Sequence, residues 1–322
     1  MASPQHRIVL TGASGTLGRN LLDLVRDDDS VDVLLLLRET SRIAEAAQPD
    51  RCIRVDFTNP QDIVRAVEAF VPTAFVHAAA AGMDFPRPEW FDLIRFNVDA
   101  SINCCQAAAQ IPGCRFVYIG TGLAYRDLGR PLREDDPLDT LHPYGASKAA
   151  ADIIVRSAAS EFGAPLTVLR PFSFTGNWDD RSRLFPALLR AARDGVPFEL
   201  SAGEQIRDHC SAIDIASGIL AAVCAQRPPK DKAHIYNLGS GATTPLRALI
   251  ENIVGEIDLG IRLKFGARPY ARYEPMYLVA DIATARRELN WAPRHNLAHA
   301  VWRLARESFP ELKLRRPKEY LQ

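Results

Sequence analysis

Tyr144-Gly-Ala-Ser-Lys148 places a phenol and an ammonium four residues apart, and residues at that spacing share one face of a helix. A free tyrosine has a pKa of about 10 and is a poor acid or base at neutral pH. A lysine charge beside it favours the phenolate and lowers that value. Bringing it to about 7 takes about 4 kcal/mol of differential stabilisation. A tyrosine tuned in this way passes a proton to or from a sugar or alcohol oxygen while a cofactor carries the hydride. Alone, Tyr-x-x-x-Lys is a weak signal that arises often by chance on exposed helices. It gains weight from a second motif upstream.

That motif is Thr11-Gly12-Ala-Ser14-Gly15-Thr16-Leu17-Gly18. The apolar run Arg7-Ile-Val-Leu10 before it reads as a strand, and the amphipathic stretch from about Leu17 to Val25 reads as a helix. Strand, glycine turn and helix form the context of a dinucleotide fingerprint. Gly12 allows the tight turn, Gly15 the close approach of a pyrophosphate, and Gly18 close helix packing. The anion would sit on the helix N-terminus, where free N–H groups and the dipole favour it. Ser14, Thr16 and Leu17 belong to the same expected cofactor contact.

The rest of the chain supplies alternating strands and helices that position these groups. Val31-Asp-Val-Leu-Leu-Leu-Leu37 is a continuous apolar run, as expected for a parallel strand covered on both faces. Cys52 to Val55, Thr73 to His77, Arg115 to Ile119 and Leu166 to Leu169 read as further strands. Helices are expected from Pro60 to Pro72, from Trp90 to Ile111 and from His142 to Phe162. Alternation of this kind implies an α/β fold with a doubly wound parallel sheet. After Arg170-Pro171 the rhythm loosens, which points to a smaller lobe built from interspersed segments. The cleft is expected at the carboxyl ends of the strands, between the lobes.

Together these residues resemble the extended branch of the short-chain dehydrogenase/reductase superfamily, which includes NAD(P)-dependent sugar-nucleotide epimerases, dehydratases and reductases. That branch carries the T-G-x-x-G-x-x-G spacing found here, and the resemblance covers nearly the whole chain. It implies a Rossmann-like sheet in residues 1–170 with the Tyr/Lys site. Residues 171–322 would be mainly a smaller α/β substrate-binding lobe, with some segments returning to the first. Thr121 falls four residues ahead of Tyr125, where the family places a catalytic hydroxyl. Lys148 would also hold the nicotinamide ribose. Asp56, followed by Phe57, would approach the adenine, and Ala78, Ala79 and Ala80 would line the dinucleotide. Asn97 resembles a position that supports the site from a helix, with a cap or packing role as the alternative.

Substrate features follow from the same likeness. Ile206-Arg207-Asp208-His209 followed by Asp214, Tyr236-Asn237-Leu-Gly-Ser-Gly241, and Arg268-Pro269 with a later Leu289-Asn-Trp291-x-Pro293 resemble family runs. They imply that Arg207 and Arg268 grip a substrate diphosphate, a sound pairing of cations and anion. Ser173 stands where the family has an asparagine that contacts substrate. The loop from Met83 to Trp90 is expected near the sugar. Family 4,6-dehydratases follow the threonine with an Asp-Glu pair, and epimerase-reductases of another type carry a cysteine two residues after it. Gly122 and Leu123 stand here instead, which argues against both reactions. Dimerisation through the helices at 90–111 and 142–162 is a further implication, giving a homodimer.

Cofactor choice is read at the end of the second strand, where an acidic residue normally binds the ribose of NAD. Here Arg38 occupies that place, with Arg42 one turn on, and an arginine fork matches a 2′-phosphate. NADP(H) is therefore favoured, with NAD(H) possible. The alternatives are that Arg38 stacks on adenine or that Glu39 takes the ribose.

Composition excludes other classes. The 39 basic and 39 acidic residues cancel and form no basic stripe, which argues against a nucleic-acid partner. No apolar run approaches membrane-spanning length. The first strand starts so early that a cytoplasmic location without a signal peptide is expected. The six cysteines show no metal spacing and read as reduced core residues, so no metal is expected. His77 reads as core, His142 as a loop residue at a helix start, and 313–318 as a solvated tail. The expected activity is NADP(H)-dependent 4-ketoreduction of a 4-keto-6-deoxyhexose on a nucleotide diphosphate. A sugar-nucleotide 4-epimerase is the alternative. A cofactor sensor without catalysis is a third reading, weakened by the intact Tyr/Lys pair.

Overall fold

The computed structural model describes residues 5–39, 41, 51–82, 89–225 and 232–320. Arg42 and residues 83–88 of the expected sugar-side loop lie outside them.

The first half alternates as its apolar runs demand. Strand β1 (His6–Thr11) leads to helix α1 (Thr16–Val25), then β2 (Val31–Leu37), β3 (Cys52–Arg54), α2 (Pro60–Val67) and β4 (Ala74–His77). Helix α3 (Trp90–Leu93) continues through a π-helical turn (Ile94–Asp99) into α4 (Ala100–Gln110), followed by β5 (Arg115–Ile119), α5 (Pro143–Phe162) and β6 (Leu166–Pro171). The second half contains β7 (Ser173–Thr175), α6 (Leu184–Arg193), β8 (Phe198–Glu199), β9 (Ile206–Arg207), β10 (His209–Ser211) and α7 (Ala212–Cys224). It ends with β11 (His234–Leu238), α8 (Leu246–Ile257), β12 (Leu263–Lys264), β13 (Tyr277–Leu278), α9 (Ala283–Leu289) and α10 (Leu297–Ser308).

Seven strands form one parallel sheet in the order β3-β2-β1-β4-β5-β6-β11. Ile8, Val9 and Leu10 of β1 are fully buried because helices cover both faces. Ile8 and Leu10 pack with Leu21, Ile215 and Ala285 beneath α1, α7 and α9. Val9 faces the other way, toward Ile63, Cys104 and Val155 of α2, α4 and α5. A separate apolar cluster joins α6, α8 and α10 through Leu188, Ile250 and Val301. Beside it lie three two-stranded parallel pairs, β7 with β10, β8 with β12, and β9 with β13. Strand order reverses between β1 and β4, and ligands bind at such a point beyond the carboxyl ends.

Two features differ from the sequence reading. The long helix expected from Trp90 is interrupted by the π turn, which carries the buried Asn97 inward. The residues at 313–318 are not a free tail: Arg315 donates to the Glu256 and Gly255 carbonyls at the end of α8, and the Arg316 guanidinium lies over Trp302. Unsatisfied carbonyls at a helix end attract such donors.

Candidate active site

Tyr144 and Lys148 occupy the first two turns of α5, both buried. Pro143 starts the helix, and His142 caps it by accepting the Gly145 N–H at 3.4 Å. Gly145 is required by close approach: a Cβ there would lie 2.3 Å from the Leu123 carbonyl oxygen. The same turn is tied down by Ser147, whose hydroxyl donates to the Tyr144 carbonyl at 2.8 Å. Asn97 donates to that hydroxyl at 2.8 Å and brackets Ala81, accepting its N–H at 2.8 Å and donating to its carbonyl at 2.9 Å. The π turn thus links the loop after β4 to the turn that carries Tyr144.

Lys148 is almost wholly buried, with its ammonium 4.3 Å from the centre of the Tyr118 ring. Burial lowers its pKa to about 7, and Asp152 one turn on opposes the shift. Asp152 in turn receives Arg170 Nε at 2.8 Å and Nη2 at 3.1 Å, and Arg156 Nε at 2.9 Å. Arg170 also donates to the Tyr125 hydroxyl at 2.6 Å and to the Glu134 carbonyl, and Tyr125 donates to Asn237 Oδ1 at 2.8 Å. Burial holds the Tyr125 phenol up at about 12, so it serves as a brace between β6 and β11 rather than as a proton carrier. Thr121 is buried beyond β5 and accepts the Leu123 N–H at 3.2 Å, capping the short turn Gly122–Ala124.

The dinucleotide turn fits its expected ligand. Gly12 has φ +75°, and a Cβ there would lie 2.6 Å from the Ala78 backbone; a Cβ on Gly18 would meet the Gly12 carbonyl at 2.4 Å. Gly15 opens α1 with no side-chain cap, unlike α2, α5 and α10, so the first-turn N–H groups remain for an anion. Thr11 Oγ1 accepts the Ala79 N–H at 3.2 Å and pairs with His77 Nδ1 at 2.9 Å. Burial and the Lys148 charge hold His77 at about 3, so its ring is neutral core structure.

A cavity of about 690 Å³ runs from this turn to the second lobe. Gly12, Ser14, Gly15, Thr16, Leu17, Gly18, Ala78, Ala80, Thr121, Tyr144, Ser173, Arg207 and Arg268 all line it. A second cavity of about 250 Å³ is lined by Arg38, Ser41, Phe57, Ala79, Phe96 and the same turn. Lys148 and Asn97 stand behind these walls rather than in them. Asp56 also lies outside: it is exposed, and its carboxylate accepts the Thr58 N–H and hydroxyl. Both arginines have carboxylate neighbours. Arg207 donates to Glu274 at 2.6 Å, and the exposed Arg268 lies 4.0 Å from Glu199. Phe172, Trp178, Gln205, His209 and Glu274 also line the large cavity, and sequence reasoning did not single them out. Gln205 and His209 carried a signal, since alternate residues in an extended segment share the face of Arg207. Among the described residues no cluster of side chains suits a metal ion, and no helix is long and apolar enough to cross a membrane.

A parallel sheet with a dinucleotide turn at its switch point and a buried Tyr/Lys pair beside it defines an NAD(P)-dependent enzyme of the short-chain dehydrogenase/reductase type. Residues 8–239 match the model of the NAD dependent epimerase/dehydratase family, and the chain belongs to that family. It is 25% identical to UDP-glucose 4-epimerase of Corynebacterium glutamicum over 311 residues, covering 90% of this chain and 91% of that one. It is 26% identical to dTDP-6-deoxy-L-talose 4-dehydrogenase (NAD(P)(+)) of Kitasatospora kifunensis, covering 92% and 93%. Its fold matches dTDP-glucose 4,6-dehydratase from Bacillus anthracis, solved with NAD, at a TM-score of 0.81 and 19% identity, covering 95% and 98%.

Proposed function

We propose that this protein reduces the C4 ketone of a 4-keto-6-deoxyhexose carried on a nucleotide diphosphate, using NADP(H). The observation that carries the reading is one cavity bounded by the dinucleotide turn, by Thr121 and Tyr144, and by Arg207 and Arg268. A dinucleotide held on the Gly12–Gly18 turn would supply the hydride for the carbonyl carbon. Tyr144 gives its phenolic proton to the carbonyl oxygen, and Thr121 orients that oxygen. Lys148, buried behind the cavity wall, favours the phenolate that remains. Arg207 and Arg268 bind the diphosphate, with Ser173 beside the sugar. Asn97 positions the Tyr144 turn. Gly122 and Leu123 offer no acid/base pair for water elimination.

The NADP preference is supported by Arg38 and Ser41 in the smaller cavity, which no carboxylate lines among the described residues. Asp32 is committed to Arg51, and Arg54 holds the Arg38 and Glu39 carbonyls. A 4-epimerase that retains NAD(P) is the second reading, favoured by the likeness to UDP-glucose 4-epimerase over nine-tenths of the chain. Residues 1–170 would form the cofactor lobe and 171–322 mainly the substrate lobe. The six cysteines, buried or half-buried apart from Cys224, suit a reducing cytoplasm. Exposed Trp90, Phe91 and Ile94 of the α3 region and Ile153 and Ile154 of α5 suit a homodimer.

The test is loss of NADPH absorbance with a panel of 4-keto-6-deoxy sugar nucleotides, with NADH as control. Stoichiometric oxidation supports the ketoreductase. Interconversion of unreduced hexose nucleotides without oxidation moves the assignment to the epimerase. Equal turnover with NADH and NADPH at limiting concentration removes the NADP preference. Tyr144→Phe should lose about 100-fold or more of turnover while binding cofactor normally. An indifferent variant would leave only a cofactor sensor.

A further inference from the structure

We propose that Trp178 is a cofactor-retaining residue: a segment of the second lobe brings Trp178 beside the pyrophosphate-binding turn and is latched onto α1. Four non-glycine residues among those described have positive φ. Val71, Asp258 and Asn290 terminate helices, where a left-handed residue is ordinary. Trp178, at φ +65°, terminates none. A bulky side chain in that conformation persists only where its surroundings over-determine it.

Those surroundings are one stripe of α1. Thr16 donates its hydroxyl to the Trp178 carbonyl at 3.1 Å. Asn20 donates to the Asn177 carbonyl at 2.9 Å. The indole N–H donates to Asp23 Oδ2 at 3.1 Å, and the Arg19 guanidinium lies 5.0 Å from the ring centre. Positions 16, 19, 20 and 23 share a helix face, on which Asn20 is itself buried, while Gly18, Leu21 and Val25 face the core. On its own lobe the segment is fixed by Asp179, which accepts Thr175 Oγ1 at 2.7 Å and Arg183 Nη1 at 2.9 Å.

Trp178 also lines the large cavity with Gly12, Ser14 and Gly15, the residues against which a pyrophosphate would lie. The helix whose N-terminus receives the anion is therefore gripped on its outer face by the lobe that carries Arg207 and Arg268. A dinucleotide seated on that turn leaves past Trp178, so opening of the latch sets its rate of release. The inference needs only the dinucleotide turn, not the identity of the sugar.

The experiment is stopped-flow measurement of NADPH and NADH dissociation from the full-length protein. Trp178→Ala should release the dinucleotide at least 10-fold faster, and Asp23→Asn, which loosens the latch but keeps the ring, about 2–5-fold faster. Energy transfer from tryptophan to bound NADPH should drop sharply in Trp178→Phe. Should Trp178→Ala fold poorly, the Phe and Asn variants carry the test. Release rates within twofold of wild type in all the variants, with undiminished energy transfer, overturn the proposal. A lowered melting temperature with unchanged release also overturns it, leaving a structural strap. Failure of the wild type to bind either dinucleotide overturns both this proposal and the proposed function. Altered release without turnover of any sugar nucleotide overturns the proposed function alone.

Discussion

Lys148 carries a charge that its own position opposes. Below about pH 7 the buried ammonium bears its full desolvation penalty, since both the folded and unfolded chains are protonated there. Between that value and the ordinary 10.5 the unfolded chain binds more protons, so this contribution to stability improves as pH rises. Lys148→Met should therefore raise the melting temperature of the cofactor-free protein by several degrees at pH 6. The gain should fade toward pH 10, and turnover should fall by about 100-fold or more. Differential scanning fluorimetry across pH checks the first half, and a gain that is constant with pH would refute it. His77 and His209 act in the same direction over a lower pH window. Burial holds both near 3, so the unfolded chain takes up protons that the native rings refuse as pH falls from 6.5 toward 3. Acid should destabilise the fold over that window, with a slope that shrinks in a variant lacking either ring.

At the scale of elements, α5 is seated by two opposed constraints: a close approach at Gly145 and a buried ion pair at Asp152. Gly145→Ala drives a methyl into the Leu123 backbone and should cost about 1–3 kcal/mol, lowering turnover together with thermal stability. Asp152→Ala strands the buried Arg170 and should cost about 3–5 kcal/mol by denaturant unfolding. Loss of less than about 1 kcal/mol would mean that Tyr125 and the Glu134 carbonyl satisfy Arg170 alone. Neither constraint was visible in the sequence, because each is made by residues brought together only by folding. The strands were legible, since a parallel strand covered on both faces must be apolar throughout, as at Val31 to Leu37. The Tyr144, Lys148 and glycine positions were legible because their chemistry fixes their spacing. The π turn was not: it answers to the Asn97 bonds with Ala81 and Ser147, which leave no periodic mark. Trp178 was hidden for the same reason, as its partners lie about 160 residues away in α1. Two-residue strands such as β8 and β9 are too short to show alternation.

For the whole molecule, the exposed apolar surface near α3 and α5 is where the proposed partner copy would pack. Phe91 is 87% exposed and Ile153 50% exposed, and α3 packs against α5, so the patch is shared. A dimer should elute at twice the chain mass in light-scattering chromatography, and Phe91→Asp should shift it toward the monomer while leaving the melting temperature nearly unchanged. A wild-type monomer at micromolar concentration would refute this. The sheet itself has a consequence for synthesis. Its seventh strand, β11, pairs with β6 but is translated about seventy residues later, a delay on the order of 3–15 s at ordinary elongation rates. During that interval the edge of β6 has no hydrogen-bonding neighbour, and the emerging half-sheet is a target for holdase chaperones. Ribosome-bound chains arrested before residue 234 should crosslink to such chaperones more strongly than chains arrested well beyond 238. Equal crosslinking would show that the edge is shielded some other way.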